Sequence, residues 1–163
     1  MSHEEALAAL RERFPDDVVD QPQGLDFTVV VRPGRLLELA LFLRDQAGLD
    51  FLSNLAGVDR PDRLEVVYHL YSTRNHAPPF ALKVLLPDKE SPRLPSVAGV
   101  WASANYQERE AYDLLGIVFE GHPNLERLFL WDGFPGHPLR KDFVNRTFTH
   151  EEMGATLPPD NER

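Results

Sequence analysis

The chain of 163 residues is 42% hydrophobic and carries 17 basic against 26 acidic residues, a formal net charge of −9. This length and composition predict a single domain with a core of ordinary size. The negative charge argues against binding to nucleic acid or to an anionic membrane surface, because both need lysine and arginine to neutralise phosphate groups.

Cysteine is absent from the sequence. Disulfides, thiolate-ligated iron–sulfur clusters and thiol nucleophiles are therefore excluded. No apolar run approaches the roughly 18 residues of a membrane span, and the acidic first 14 residues are not typical of a signal or transit peptide. We therefore expect the protein to stay in the compartment where it is made.

Hydrophobic periodicity predicts helices and strands along most of the chain. Ser2 and Glu5 have capping-box spacing at the start of the first helix. In chain order, the predicted elements are a helix over 3–14, a strand over 25–31, a helix from Pro33-Gly34 to about Gly48, and strands over 50–58, 63–72 and 80–86, the last two separated by a loop at 76–79.

A further helix is predicted after Ser96, which has the chemistry of an N-cap. It continues, with a kink near Asn105, into a stretch rich in charged residues. Beyond Gly116 we expect mostly loop, apart from a short buried extended run over 117–119. Residues 157–163 are expected to be a frayed tail.

These elements neither alternate strictly nor segregate. The pattern predicts an α+β fold, a single two-layer domain in which a mixed or antiparallel sheet is covered on one face by helices. We expect an α+β core domain over 1–120. Residues 121–163 are expected to form an extended loop arm and a C-terminal tail.

The last predicted helix has a charged face opposite an apolar face. The charged face carries Tyr106, Arg109, Glu110 and Asp113. Arg109 and Asp113 stand at i, i+4, a pair that stabilises an isolated helix by only about 0.2–0.5 kcal/mol. Local stability therefore does not explain the pattern. Gly116 follows at the position where a glycine ends a helix.

Two prolines and two glycines restrict the C-terminal loop. Gly121-His122-Pro123 supplies turn chemistry. Pro138 keeps the residue before it out of the α region. Arg140, Lys141 and Asp142 are then presented from the stiffened segment 136–143. From the residues alone, a solvated loop and a partner contact are both open.

Catalytic, metal and cofactor sites find little support in the sequence. The six histidines never show the H-E-x-x-H spacing of a zinc helix, and the standard phosphate and dinucleotide loops are absent. Glu108, Glu110 and Asp113 could supply an acid and a base, as in a glycosidase. A solvated helix face or an ion-pair network explains them more simply. We predict no catalytic, cofactor-binding or metal-binding residue.

Two motifs in order carry a resemblance to a known protein family. They comprise Glu108-Arg109-Glu110, Tyr112-Asp113-Leu114-Leu115-Gly116-Ile117, Phe119, Gly121-His122-Pro123, Leu125, Arg127 and Pro138-Leu139-Arg140-Lys141-Asp142-Phe143. This pattern resembles the 30 kDa subunit of proton-translocating NADH:quinone oxidoreductase, respiratory complex I. That subunit is named C, or J in chloroplasts and cyanobacteria. Weaker similarity extends back through most of the chain.

Three positions depart from the family pattern. Tyr106 stands where tryptophan is usual, Glu126 where a basic residue is usual, and Val144 where proline often follows the second motif. The first change keeps an aromatic anchor but shrinks it. The second removes or reverses one charge contact of the family, so both changes bear on contacts with other subunits.

The resemblance implies a non-catalytic, cofactor-free subunit of the peripheral arm that supports assembly. The whole assembly would oxidise NADH, pass electrons through flavin and iron–sulfur clusters held by other subunits, reduce quinone and translocate protons. The implied partners are the hydrogenase-like large subunit near the quinone site, which is named D, and the cluster-bearing subunits B and I. The implied location is peripheral, on the cytoplasmic side of the cell membrane.

Eleven motif residues are assigned, through the resemblance, to an interface with other subunits. They are Arg109, Glu110, Asp113, Gly116, His122, Arg127, Pro138, Arg140, Lys141, Asp142 and Phe143. We expect the charges of the helix to form a network that is completed by a neighbouring subunit. We also expect segment 136–143 to be an interface arm outside the domain's own core, which docks through Arg140 and Phe143.

Two other functions stay open. The first is the equivalent subunit of a membrane-bound hydrogenase, in which the electron source and acceptor differ but the contacts are similar. The second is a stand-alone hydrolase that uses Glu110 and Asp113.

Overall fold

The computed structural model describes residues 1–24, 26–74 and 77–154. Within these ranges the chain forms three helices and seven strands. In chain order they are α1 (His3–Arg13), β1 (Val18–Asp20), β2 (Phe27–Val31), α2 (Leu36–Asp45), β3 (Phe51–Asp59), β4 (Leu64–Tyr71), β5 (Phe80–Leu86), β6 (Arg93–Pro95), α3 (Ala104–Leu115) and β7 (Val118–Glu120).

Five strands form one mixed sheet in the order β1-β2-β5-β4-β3. The β2–β5 pair is parallel, with Phe27 opposite Phe80, and the other pairs are antiparallel. The parallel pair arises because the chain leaves β2 through α2 and the β3–β4 hairpin before it returns as β5. Strands β6 and β7 form a separate parallel pair.

The helices cover one face of the five-stranded sheet. Along β4, Leu64, Val66, Tyr68 and Leu70 are fully buried, whereas the residues between Val66 and Tyr71 that point to the other face are half-buried. The buried cluster joins these side chains to apolar residues of all three helices. This two-layer arrangement confirms the α+β fold class predicted from the sequence.

The capping box at the N-terminus of α1 is present. The Ser2 N–H donates to the Glu5 carboxylate at 2.6 Å, and the Glu5 N–H donates to the Ser2 hydroxyl at 3.2 Å. Both contacts satisfy N–H groups that have no partner inside the helix. The helix then buries Ala6, Leu7 and Leu10, as the periodicity predicted.

The N-terminus of the last helix differs from the prediction. Residues 96–103 form turns, and α3 begins at Ala104, so Ser96 does not cap it. Its hydroxyl is instead committed to a side chain of α3 described below. The strands β1 and β6 were not predicted, since three residues are too few to show a period. The extended run over 117–119 is confirmed as β7.

Some predictions lie outside the described residues. These are the frayed tail 157–163, the start of the predicted strand at residue 25, and His76 in the loop between β4 and β5. The domain boundary at residue 120 stays a prediction. In the part of the chain that the structure describes, no helix has both the length and the apolarity that crossing a bilayer requires.

Candidate functional site

Helix α3 buries two carboxylates against its own chain. Glu108 and Asp113 are both 0% exposed, which ionisable residues tolerate only when they are paired or hydrogen-bonded. The two side chains have different partners and lie in separate environments. Together they connect α3 to the turn before it and to the loop that follows β7.

Asp113 is the acceptor at the centre of the loop contact. One of its oxygens binds the guanidinium of Arg127 at 2.9 Å. The other oxygen accepts the backbone N–H groups of Leu128, Phe129 and Leu130 at 3.0, 2.8 and 3.1 Å. A single carboxylate thus fixes four donors from one loop, which is near the limit of what its two oxygens accept.

These contacts lower the pKa of Asp113. Burial acts in the other direction and raises the pKa, because it penalises the charged form. The N–H of Phe129 and the guanidinium of Arg127, with the two neighbouring N–H groups, outweigh burial and hold the pKa below its usual range. Asp113 therefore stays ionised at neutral pH and is not a proton donor.

The predicted charged face of the helix is thereby corrected. Asp113 does not stand in solvent beside Arg109, because the loop after β7 folds over it. Arg109 instead donates to the carbonyls of Glu126 and Arg127 at 3.2 and 3.4 Å and lies 5.8 Å from the ring of Tyr106. The contact to residue 126 uses the backbone, so it does not depend on the acidic side chain at that position.

Arg127 is a second node of the same loop. Besides Asp113, its guanidinium donates to the carbonyl of Phe134 at 3.0 Å and lies within 3.4 Å of the carbonyl of Gly136. The planar five-donor fork of arginine suits several acceptors at once. Arg127 thus joins α3 to both halves of the loop between β7 and residue 143.

Glu108 holds the turn that precedes α3. Its two oxygens accept the Ser96 hydroxyl at 2.5 Å and the Val97 N–H at 2.7 Å. Burial raises the pKa of Glu108 to about 7, although both donors act to lower it. Unlike Asp113, this carboxyl therefore changes its charge near neutral pH.

His122 lies beside Glu108 but is committed to the backbone. Its Nδ1 accepts the Asn124 N–H at 3.0 Å, so Nε2 carries the proton and donates to the Asn105 carbonyl at 2.9 Å. The Nε2 atom is 3.9 Å from the Glu108 carboxylate. Both ring nitrogens are thus in use, which leaves no free lone pair for a metal ion.

Tyr68 completes the surroundings of Glu108 from the sheet. Its side chain is fully buried on β4, and its hydroxyl has no hydrogen-bond partner among the described residues. Burial raises the pKa of Tyr68 well above its usual value, and the charge on Glu108 raises it further. The phenol is therefore neutral at any physiological pH.

The C-terminal loop returns to α3 instead of projecting from the domain. The Leu139 N–H donates to the carbonyl of Leu114 at 3.0 Å. Arg140 donates to the carbonyls of Leu115 at 2.8 Å and Lys89 at 2.6 Å. The bonds to Leu114 and Leu115 satisfy carbonyls at the end of α3 that have no partner inside the helix. The expectation that Arg140 docks on a partner is therefore corrected.

The remaining residues of segment 136–143 divide into two groups. Phe143 stacks on Phe134 at 5.9 Å, so its ring also packs within the chain and its predicted docking role is corrected. The Lys141 N–H donates to the buried Asp59 carboxylate at 2.8 Å. The side chains of Lys141 and Asp142 are exposed and bind no described residue. These two are the charges of the segment that stay available.

Gly116 and His137 form a close contact at the end of α3. Gly116 adopts φ +74°, and a Cβ at this position would lie 2.6 Å from the His137 ring. The Nδ1 of His137 binds the carbonyl of Asp113 at 3.0 Å. The glycine thus permits both the left-handed end of the helix and the approach of the loop.

Gly116→Ala should destabilise the isolated chain more than Gly121→Ala. Both glycines have positive φ, at +74° and +81°, so both alanines carry a backbone strain of about 1–2 kcal/mol. Only the first also displaces a ring, because nothing lies within 4 Å of the added Cβ at residue 121. Urea denaturation gives both values, and equal losses would contradict the His137 contact.

Arg140→Lys should lower the free energy of unfolding of the isolated chain by about 1–3 kcal/mol. An ammonium group cannot serve the Leu115 and Lys89 carbonyls together as the guanidinium does. Lys141→Arg is the control, since that side chain is exposed and has no described partner. An unchanged midpoint for Arg140→Lys, with loss of assembly, would restore the docking role.

Within the described ranges, no three side chains of the metal-binding types converge on one point. Glu110 and Asp113, the pair considered for hydrolysis, also fail to converge. Asp113 is buried and saturated, whereas Glu110 is exposed and binds no described residue. A general acid and base must both reach the substrate. This geometry argues against a hydrolase that uses the pair.

Sequence comparison places the chain in a family. The profile described as "Respiratory-chain NADH dehydrogenase, 30 Kd subunit" matches residues 29–149. The chain belongs to this family, which confirms the resemblance.

Two relatives share the name of this family's member in NADH-quinone oxidoreductase, the subunit named C. The protein from Roseiflexus sp. (strain RS-1) is 45% identical, and the alignment covers 93% of each chain. The protein from Rhizobium etli (strain CIAT 652), the second of that name in its strain, is 41% identical over 98% of this chain and 89% of its own length. The chain therefore matches these relatives over nearly their whole length.

Solved structures agree with the fold. The trypsin-resistant fragment of Nqo5 superposes with a TM-score of 0.64 and 36% identity, covering 77% of this chain and all of the fragment. A chain of the membrane-bound sulfane sulfur reductase, an archaeal respiratory membrane complex, gives a TM-score of 0.70 over 98% of this chain and 97% of that chain. Its identity is 21%, so this second likeness concerns the fold alone.

Proposed function

We propose that this chain is a non-catalytic, cofactor-free subunit of the peripheral arm of a proton-translocating NADH:quinone oxidoreductase. Its own contribution is to assemble and stabilise the module that carries electrons to quinone. Membership of the 30 kDa subunit family and the names of the relatives support this proposal. The flavin and the iron–sulfur clusters belong to partner subunits.

One observation carries the non-catalytic role. The buried charges of the family motif are saturated by contacts within the chain, as the four donors on Asp113 illustrate. A catalytic carboxylate has to offer a lone pair or a proton to a substrate. The motif instead fixes a loop on a helix, which is what a scaffold for neighbouring subunits requires.

The partners are the hydrogenase-like large subunit named D and, close by, subunits B and I. The motif charges left available for them are Glu110, Lys141 and Asp142, which are exposed and bind no described residue. Exposed Tyr106 and Leu139 lie among them. Through these partners the chain sits at the cytoplasmic side of the membrane as a peripheral subunit.

Purification of the tagged chain from cells that make the complete assembly tests the proposal. Under mild detergent, mass spectrometry should identify a co-eluting hydrogenase-like subunit. The chain by itself should be a colourless protein without iron, zinc or flavin. Stoichiometric metal or flavin in the isolated chain, or hydrolytic turnover by a monomer, would refute it. A co-eluting large subunit with intact metal-ligating cysteines would indicate the membrane-bound hydrogenase instead.

A further inference from the structure

A groove of about 170 Å³ lies between β3 and α3. Its lining includes Gly57 from the strand, Leu114 and Glu110 from the helix, and Leu139 from the C-terminal loop. Small-molecule sites usually measure about 300–1,000 Å³. The groove is therefore better matched to a side chain of another protein than to a cofactor.

One wall of the groove is an open strand edge. Among the described strands, β3 is the last in its sheet and pairs only with β4. The Leu55 N–H points away from β4, since it donates to the side chain of Gln107. The Arg60 N–H points toward β4, where it donates to Arg63. Because backbone groups alternate in direction along a strand, the N–H and C=O of Gly57 face outward.

The chain covers this edge on both sides of Gly57. On one side Gln107 occupies the N–H of Leu55. On the other side the Lys141 segment lies against Asp59, whose carboxylate accepts the Lys141 N–H at 2.8 Å. Proteins usually cover exposed strand edges, because these pair readily with other chains. The uncovered position at Gly57 therefore marks a place where another backbone can pair.

Glu110 supplies the charge of the groove. The other two carboxylates of α3, Glu108 and Asp113, are buried and saturated, whereas Glu110 is exposed and binds no described residue. Beside it, Leu114 and Leu139 add apolar surface, and Leu139 is 60% exposed. An aliphatic stem that ends in a positive charge matches this combination, as in arginine or lysine.

We propose that the groove receives an extended segment of a neighbouring subunit. The backbone of this segment pairs with Gly57, and an arginine or lysine on it binds Glu110. Addition of a strand to a free edge is a general mode of peptide recognition, in which backbone hydrogen bonds give affinity and side-chain contacts give specificity. The proposal rests on the proposed function, because it takes the neighbour to be a subunit of the same assembly.

Photo-crosslinking in the intact assembly tests the occupant. A benzoylphenylalanine replaces Asn54, which lines the groove, and in a control it replaces Leu41, which is exposed on α2. After irradiation and digestion, position 54 alone should yield one peptide of another subunit with a basic residue. Absence of a crosslink, a crosslink only to copies of this chain, or a peptide without arginine or lysine would overturn the proposal.

Charge reversal tests the ion pair. Glu110→Lys should reduce recovery of the chain in the purified assembly at least tenfold, while the melting temperature of the isolated chain stays unchanged. Glu126→Lys is the matched control, because that side chain is also exposed and binds no described residue. A glutamate in place of the crosslinked basic residue should restore recovery of Glu110→Lys. Normal recovery of the single variant would overturn the proposal.

The two proposals fail in different ways. If the tagged parent chain recovers no other subunit, the proposed function fails. If the parent assembles but position 54 gives no crosslink, or Glu110→Lys assembles normally, only the groove proposal fails.

Discussion

Asp113→Ala is expected to lower the free energy of unfolding of the isolated chain by about 3–5 kcal/mol. The substitution leaves the guanidinium of Arg127, whose side chain is 18% exposed, without its counter-ion. It also removes the acceptor of three backbone N–H groups in the loop over α3. Each unpaired buried donor adds a desolvation cost. Urea denaturation followed by circular dichroism measures the change.

Glu110→Ala is the control on the same helix. That carboxylate is exposed and binds no described residue, so its removal should leave the midpoint unchanged. The double variant Asp113→Ala/Arg127→Ala should lose less than the sum of the two single variants, because neither partner is then left charged and alone. A loss below about 1 kcal/mol for Asp113→Ala would show that the pair does not hold the loop.

Glu108→Gln is expected to remove a pH dependence of stability. Burial raises the pKa of Glu108 to about 7 in the folded chain, compared with about 4.3 in an unfolded chain. Between these values the folded state keeps a proton that the unfolded state has lost. The stabilising contribution is therefore complete below about pH 4.3 and is lost as the pH rises toward 7. Relative to the variant, the parent should lose up to about 1.4 kcal/mol per pH unit in this window.

Glutamine preserves the shape and the hydrogen bonds of the site. Its amide oxygen can accept the Val97 N–H, and its amide nitrogen can donate to the Ser96 hydroxyl. His3 acts in the opposite direction, because burial lowers its pKa and its contribution is lost as the pH falls below about 6.5. Only the difference between variant and parent therefore isolates Glu108.

Urea midpoints at pH 5, 6, 7 and 8 give this difference. Glu110→Gln serves as the control, since its difference from the parent should be the same at every pH. A constant difference for Glu108→Gln across the series would show that Glu108 keeps one charge state throughout.

Local patterns predicted most of the regular structure. The capping box at Ser2 and the strand over 80–86 occur where the sequence placed them. Periodicity succeeds here because a helix or strand buries one face against a single neighbouring layer. It failed over 96–103, where Ser96 has the chemistry of an N-cap but donates to Glu108. The hydroxyl serves both purposes equally well, and the sequence does not distinguish them.

The burial of Glu108 had a signal that could have been used. It lies on the apolar stripe of α3 with Ala104, Ala111 and Leu115, at helical spacing. A charged residue on such a stripe predicts a buried, hydrogen-bonded carboxylate. Asp113 had no such signal. It lies off the stripe and is buried only because the loop containing Arg127 folds over it.

The sequence by itself determined the family, the α+β class and the residues of both motifs, because these depend on local spacing and on residue identity. Tertiary structure alone decided which charges the chain saturates and which it leaves for a partner. Asp113 and Arg127 are 14 residues apart, and Arg140 and Lys89 are 51 apart. Loops without a period make these contacts, so only the folded path of the chain reveals that Arg140 is committed and Glu110 is free.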